Sequence, residues 1–207
     1  MDQAVLYAVR HGQTTLNASN CFRGTANPPL DETGRGDAHE LAEFLEPRQL
    51  GYVYASDKLR TRQTYEILHI HGICSCDAQF LPDLRALNVG NFSGKPKNRE
   101  NTEQMEWYAD NPDEVIPGGE SINQFRARVQ PLFLAGLQIF DKTGVPPLFV
   151  VHSSLVHELG NFFNHDHHSS RVEPGGAAAV FVRNGELRAE PIFKPKKAGE
   201  NKADTIS

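Results

Sequence analysis

Surplus positive charge, long apolar runs and paired cysteines are all missing from this chain. Its 21 lysines and arginines face 26 aspartates and glutamates, for a net charge of −5. General nucleic-acid binding needs an excess of positive surface, so that class is set aside and any anion site must be local. No apolar stretch approaches the ~20 residues of a membrane span, and the N-terminal segment lacks a basic region followed by a hydrophobic run. Neither an anchor nor a secretory signal is expected, nor a membrane partner, and the cytoplasm is the default compartment. Cys21, Cys74 and Cys76 are an odd number without framework spacing, which suits a reducing compartment better than a disulfide scaffold.

What is present is an alternation of strand and helix signals. The 207 residues suffice for a full core, and nothing in the composition marks a second domain. Residues 4–9 form a short apolar run with β-branched content and read as a buried strand, with Arg10-His11-Gly12 at its C-terminal end. Asp31 can cap a helix whose apolar positions Ala38, Leu41, Ala42 and Leu45 recur at helical spacing until Pro47 and Gly51 break it. Residues 52–55 read as a second strand, followed by a helix from about 58 to 70 that His71-Gly72 stops. Residues 82–119 are loop-rich around one helix near 102–108, and the excursion over about 90–120 reads as a binding lid.

From Ser121, the residues Ile122, Phe125, Val129, Leu132, Phe133 and Phe140 keep a helical period, with Pro131 as an expected kink. Residues 148–151 form a third strand ending in His152, and 153–163 a helix. Residues 177–182 and 186–192 flank Asn184-Gly185, a strong hairpin signal. The single domain expected over 1–193 is followed by 194–207, where Lys194, Lys196 and Lys197 accompany no apolar pattern and a disordered tail is expected.

Strands separated by helices imply a three-layer α/β/α sandwich with a largely parallel central sheet and an antiparallel hairpin at one edge. Ligands of such sheets bind beyond the carboxyl ends of the strands. Arg10-His11, Ser56-Asp57 and His152 follow three of the strands and should converge on one crevice, within reach of Arg60 and Arg62 in the next helix. Histidines and arginines around one crevice suit a phosphate dianion, since guanidinium donates in pairs and imidazole can donate or attack near neutral pH.

Arg10-His11-Gly12-Gln13-Thr14 resembles the RHG signature of the histidine phosphatase superfamily, the phosphoglycerate-mutase-like enzymes. Further matches follow in order: Asn17; Gly24 with Pro29-Leu30 and Gly34; Ser56 and Arg60 with Gln63-Thr64; Gly90 and Gly94; Pro117-Gly118-Gly119-Glu120-Ser121 with Arg128; and Val150-Val151-His152. The resemblance runs over about residues 4–192 and implies a phosphoglycerate-mutase-like fold. It implies that His11 takes a phosphoryl group as phosphohistidine, and that Arg10, Arg60 and His152 grip the phosphate and stabilise charge in transfer. Asn17 would add a phosphate contact, and Arg62, Ser153 and Glu120 are candidates for holding the substrate. Gly12 would let the backbone approach closely. The cations are side chains, so no metal and no cofactor is required, and the partner is a small phosphorylated substrate. Self-association is left open.

The chain also departs from the family pattern. Family members carry a glutamate before the Gly-x-aromatic-x-Gly segment, where it protonates the leaving alkoxide; here Ala86 stands in that place. General acid catalysis contributes about 10²–10⁴-fold, so alcohol leaving groups should suffer most. Ser153 and Ser154 replace the usual glycines after the second histidine. Three readings of Ala86 follow. The acid comes from elsewhere, with Glu120 first and Glu103, Glu106 or Asp31 behind it. Alternatively the enzyme acts on activated phosphates, protein phosphohistidine among them. Otherwise the chain is a weakly active or inactive phospho-ligand-binding relative, or an acid-deleted variant. The intact His11 and arginine clamp favour a phosphatase, and the missing donor argues against a mutase, which uses a proton donor in both half-reactions.

Other clusters carry less. His69 and His71 with Cys74 and Cys76 number four zinc-ligand types, but a helix end beside a strand start should make them diverge. A metal-dependent hydrolase built on the histidine-rich loops is the rival they suggest. His165-Asp166-His167-His168 reads as a solvated loop or a border of the crevice. The basic run Lys95-Pro96-Lys97-Asn98-Arg99 in the expected lid would select a substrate with a second anionic group.

Overall fold

The computed structural model describes residues 3–23, 25–74, 77–165 and 171–196. Gly24, Cys76, Asp166, His167, His168 and residues 197–207, Lys197 included, lie outside the described residues. Six strands form one sheet: β1 (Ala4–Arg10), β2 (Val53–Ser56), β3 (Gln79–Leu81), β4 (Leu148–Val151), β5 (Ala177–Arg183) and β6 (Glu186–Phe193). Their spatial order is β3-β2-β4-β1-β5-β6. The first four run parallel, and β5 and β6 are antiparallel additions at one edge.

Strand side chains alternate between faces, and here the two faces feed two separate cores. Tyr7, Val9, Val53, Ala55, Leu148 and Val150 join one core with Leu41, Leu45 and Leu68, from α2 (Glu32–Leu45) and α3 (Leu59–Ile70). Leu6, Ala8, Phe149 and Val151 join the other, with Phe133 from α5 (Ile122–Thr143) and Leu155 and Leu159 from α6 (Ser153–Asn164). The sheet is thus covered on both sides, and the three-layer expectation holds. No helix among the described residues is long and apolar enough to cross a membrane.

The differences from expectation have local causes. The three-residue strand β3 and the four-residue helix α1 (Thr15–Ala18) are too short to show a hydrophobic period. Helix α4 is Arg99–Asp110, longer than the 102–108 expected, because Asn98 caps it by accepting from the Asn101 amide at 2.9 Å. None of its residues is buried, so apolar spacing alone understates it. Helix α5 runs from Ile122 to Thr143 with Pro131 inside it, begun by a Ser121/Gln124 capping box and ended by Gly144 at φ 69°. Where a tail was expected from 194 onward, the Lys196 amide donates to Oε2 of Glu40 at 2.9 Å.

Caps separate the helices into two groups. Asp31, Asn98 and Ser121 each accept a backbone hydrogen bond at the N-terminus of α2, α4 and α5. Helices α3 and α6 are entered through Lys58 and His152, and neither side chain makes a cap hydrogen bond. Those two helix starts follow β2 and β4, at the strand ends where a ligand of this fold class binds.

Candidate active site

Parallel β1, β2 and β4 are neighbours, so the residues that follow them meet at one edge of the sheet. The His11 amide continues the ladder to Val151 O at 3.0 Å. The His11 and His152 ring centroids lie 5.2 Å apart, and the His152 ring reaches Ser56 Oγ from Nε2 at 2.9 Å. The expected convergence on one crevice is therefore present, and both histidines are buried within it.

Hydrogen bonding assigns the proton on His11. Its Nδ1 is 2.7 Å from Gly12 O, and a carbonyl only accepts, so Nδ1 carries the hydrogen. Nε2 keeps its lone pair and accepts from Nε–H of Arg60 at 3.1 Å. Burial first, and then the nearby Arg60, holds the ring well below the ordinary pKa of 6.5, so it is neutral at pH 7. His152 is likewise pushed well down by burial, Arg60 and His11. Ser56 Oγ accepts from the Lys58 amide at 3.4 Å, so its hydroxyl is free to donate to Nε2 of His152. With the hydroxyl donating, the His152 proton sits on Nδ1, a buried atom with no hydrogen-bond partner among the described residues.

Cations surround this pair. Arg10 donates from Nη1 to Val172 O at 2.8 Å, while its buried Nε has no partner among the described residues. Arg60 donates from Nη1 to Ala26 O at 3.1 Å. Burial and the neighbouring Arg23 lower both guanidinium groups to about 10. Arg23, also lowered by burial, is a cation that sequence reasoning missed. A single arginine in a loop carries no pattern, and the nearest hint was the family match at the adjoining Gly24. Like charges crowded in low dielectric repel, and an anion relieves them.

The polar constellation is locked from behind by glycine. A Cβ on Gly12 would lie 2.1 Å from Gly34 O, and one on Gly34 would lie 2.0 Å from Gln13 O. The loop after β1 therefore touches the first turn of α2 backbone to backbone, which supports the close-approach reading of Gly12.

Residues 6–159 match the family model of the histidine phosphatase superfamily, branch 1. The chain belongs to this superfamily. A relative from Enterobacter sp. (strain 638), named probable phosphoglycerate mutase GpmB, is 32% identical over 151 residues, 71% of this chain and 68% of its own. The same name is given to a protein of Photorhabdus laumondii, 31% identical over 129 residues, 60% of this chain and 59% of its own. The match thus spans about three fifths to two thirds of these curated relatives. Among solved structures, phosphoglycerate mutase from Thermus thermophilus aligns with a TM-score of 0.67 and 26% identity, covering 91% of this chain and 99% of that one. A mycobacterial glucosyl-3-phosphoglycerate phosphatase in complex with VO3 aligns with a TM-score of 0.76 and 21% identity, covering 94% and 100%. The second likeness speaks for the fold.

Other candidate residues of this histidine phosphatase family member occupy distinct places. The carboxamide oxygen of Asn17 accepts from the Thr14 amide at 3.0 Å and hydroxyl at 2.6 Å, so its N–H group is the end left to meet a phosphate. Ser153 opens α6 directly after His152, whereas Ser154 Oγ accepts from the Leu87 amide at 3.1 Å and ties α6 to the segment holding Ala86. Arg62 donates to Asp57 O at 3.0 Å and lies over the Phe80 ring at 3.8 Å. The cations gathered at His11 are Arg10, Arg23 and Arg60.

Ala86 lines a cleft of about 360 Å³ with Arg60, Lys58, Asn88 and Glu120. The Glu120 carboxylate is held there by Arg128, at 2.6 and 3.0 Å, and by the Asn88 amide at 2.8 Å. Arg128 also donates to the carbonyls of Asp83, Arg85 and Ala86, so this pair is a brace for the segment around Ala86. Of the basic run, Lys97 lies over the Phe22 ring and is pushed down by burial and by Arg23 and Arg10, which ties it to the site. Among the described residues, no cluster of three or more His, Cys, Asp or Glu side chains could hold a metal. His71 is paired instead with Nδ1 of His39 at 2.8 Å, and Cys74 is buried in the core.

Proposed function

We propose that this chain is a cytoplasmic phosphatase that hydrolyses a small phosphate monoester through a phosphoryl group carried on Nε2 of His11. The supporting observation is the pair of hydrogen bonds on that ring, which puts the proton on Nδ1 and a lone pair on Nε2 among three arginines, Arg10, Arg23 and the buried Arg60. A phosphate dianion replaces Nε2 as the acceptor for Arg60 and thereby frees the lone pair. As the Nε2–P bond forms, the ester P–O bond breaks and its electron pair leaves on the departing oxygen. Water then attacks phosphorus, the P–N bond breaks, its pair returns to Nε2, and inorganic phosphate departs. Arg10, Arg60 and Nδ1–H of His152 bind the equatorial oxygens, with Asn17 as a further donor, so the charge is met by fixed donors and no metal is required. Ser153 and the cleft lined by Asn88 and Glu120 are where the rest of the substrate is held.

Ala86 leaves no carboxyl where the leaving oxygen would be protonated, so hydrolysis of esters with good leaving groups is the reaction this site supports best. The same alanine, with Glu120 committed to Arg128, supports a second reading: a weakly active relative that binds phospho-ligands. Hydrolysis of p-nitrophenyl phosphate in EDTA by the wild type and by folded His11→Ala separates the two. Turnover by the wild type alone, with an acid-labile phosphoenzyme, is expected. Equal turnover by His11→Ala would overturn the mechanism, and phosphate binding without turnover would establish the second reading.

A further inference from the structure

With alanine at 86, the departing oxygen still needs a proton. We propose that Lys58 supplies it, from the start of α3, a reading that rests on the phosphatase function above. Lys58 lines the same cleft as Ala86 and Arg60. Its Nζ donates one hydrogen to Thr25 O at 2.9 Å, which fixes the ammonium and leaves two N–H bonds for a ligand.

The position is a poor one for lysine on local grounds. Lys58 is the N-cap of α3, where serine, threonine, aspartate or asparagine would satisfy the first amides, and it makes no side-chain cap bond. A cation there also opposes the helix dipole, and the first turn holds no acidic residue to offset it. Local rules are broken in this way mainly where function demands it. Helix α6, which also lacks a side-chain cap bond, is entered through His152 of the phosphate site.

Two of the carboxylates around the cleft, Asp57 and Glu120, are held by arginines. Arg85 grips Asp57 at 2.8 and 2.5 Å and holds its carboxyl below the usual range, so it is a poor acid near neutral pH. Glu120 is held by Arg128 and the Asn88 amide. Asp83 lines the cleft too, on an exposed turn whose carbonyl accepts from Arg128. Burial first, and then Arg85 and Arg60, lower the pKa of Lys58 from 10.5, and Asp57 opposes them. The ammonium is thereby a stronger acid than an ordinary lysine.

The step balances. As Nε2 of His11 bonds to phosphorus, the P–O pair moves to the leaving oxygen and one Nζ–H proton of Lys58 joins it, giving the neutral alcohol and a neutral amine. In the second half the amine takes a proton from the attacking water, which restores the ammonium while the P–N pair returns to Nε2.

The test compares wild type, Lys58→Met and Lys58→Arg on glycerol phosphate, an alkyl ester, and on p-nitrophenyl phosphate, whose leaving group needs little protonation. Both variants should lose about 10²-fold or more in kcat on the alkyl ester and stay within a few-fold on the aryl ester. Arginine keeps the charge but gives up no proton, so it should not rescue. Equal loss on both esters, rescue by arginine, or a wild type that hydrolyses only the aryl ester would overturn the Lys58 assignment and leave the phosphatase reading standing. A wild type inert toward both esters would overturn both.

Discussion

Nε–H of Arg60 donates to Nε2 of His11 at 3.1 Å, so the same lone pair that would attack phosphorus is held by the guanidinium that would bind the phosphate. Arg60 is in turn anchored to Ala26 O at 3.1 Å, which limits how far it can move. Exchange of one acceptor for another then needs a small shift of the guanidinium. Arg60→Met should lower kcat by about 10²–10³-fold, the scale for removal of one fixed donor from a developing charge. It should weaken competitive inhibition by inorganic phosphate in parallel. Unchanged kcat with weaker phosphate inhibition would place Arg60 in ground-state binding alone.

The two buried histidines also link stability to pH. Each has a native pKa well below 6.5, lowered by burial and then by Arg60, whereas each regains an ordinary value of about 6.5 when unfolded. Below pH 6.5 the unfolded chain therefore binds more protons than the native one, and unfolding becomes easier as pH falls. Stability from these residues should be level above about pH 7.5 and decline by up to about 1.4 kcal/mol per pH unit per histidine as pH drops toward 5. Urea unfolding at pH 8, 6.5 and 5.5 measures the slope, and His11→Asn with His152→Asn should flatten it. A slope that survives the double substitution would assign it to other groups.

The residues that shape this site were unequally visible in the sequence. Arg10, His11 and His152 stand directly after apolar runs, and strand order carries them together once the sheet is parallel. Arg60 was legible through its distance from Ser56. Arg23 was not, because it lies in a loop with no period, and what marks it is the burial it undergoes beside Arg10 and Arg60. The commitment of Glu120 to Arg128, and of Arg62 to the Phe80 ring, rests on contacts between segments far apart in the chain. Neither could be read from spacing. Lys58 was visible only as a helix start, because its meaning comes from the cleft it shares with Ala86.

That shared cleft makes the two positions interdependent, and Ala86→Glu tests it. Where a side chain already donates the proton, adding a carboxyl gives little, and beside Lys58 a glutamate would also be held ionised by its cationic neighbours. In the wild type the substitution should therefore change hydrolysis of alkyl and aryl phosphates to a similar, small extent. In Lys58→Met the ammonium is gone, and adding Ala86→Glu should raise kcat on glycerol phosphate by about 10-fold or more while leaving p-nitrophenyl phosphate within a few-fold. The effects of residues that share a task do not add, and the size of that departure measures their coupling. A selective gain of the same size in both backgrounds would show that the wild type lacks a proton donor, and with it that Lys58 is a binding cation and not an acid.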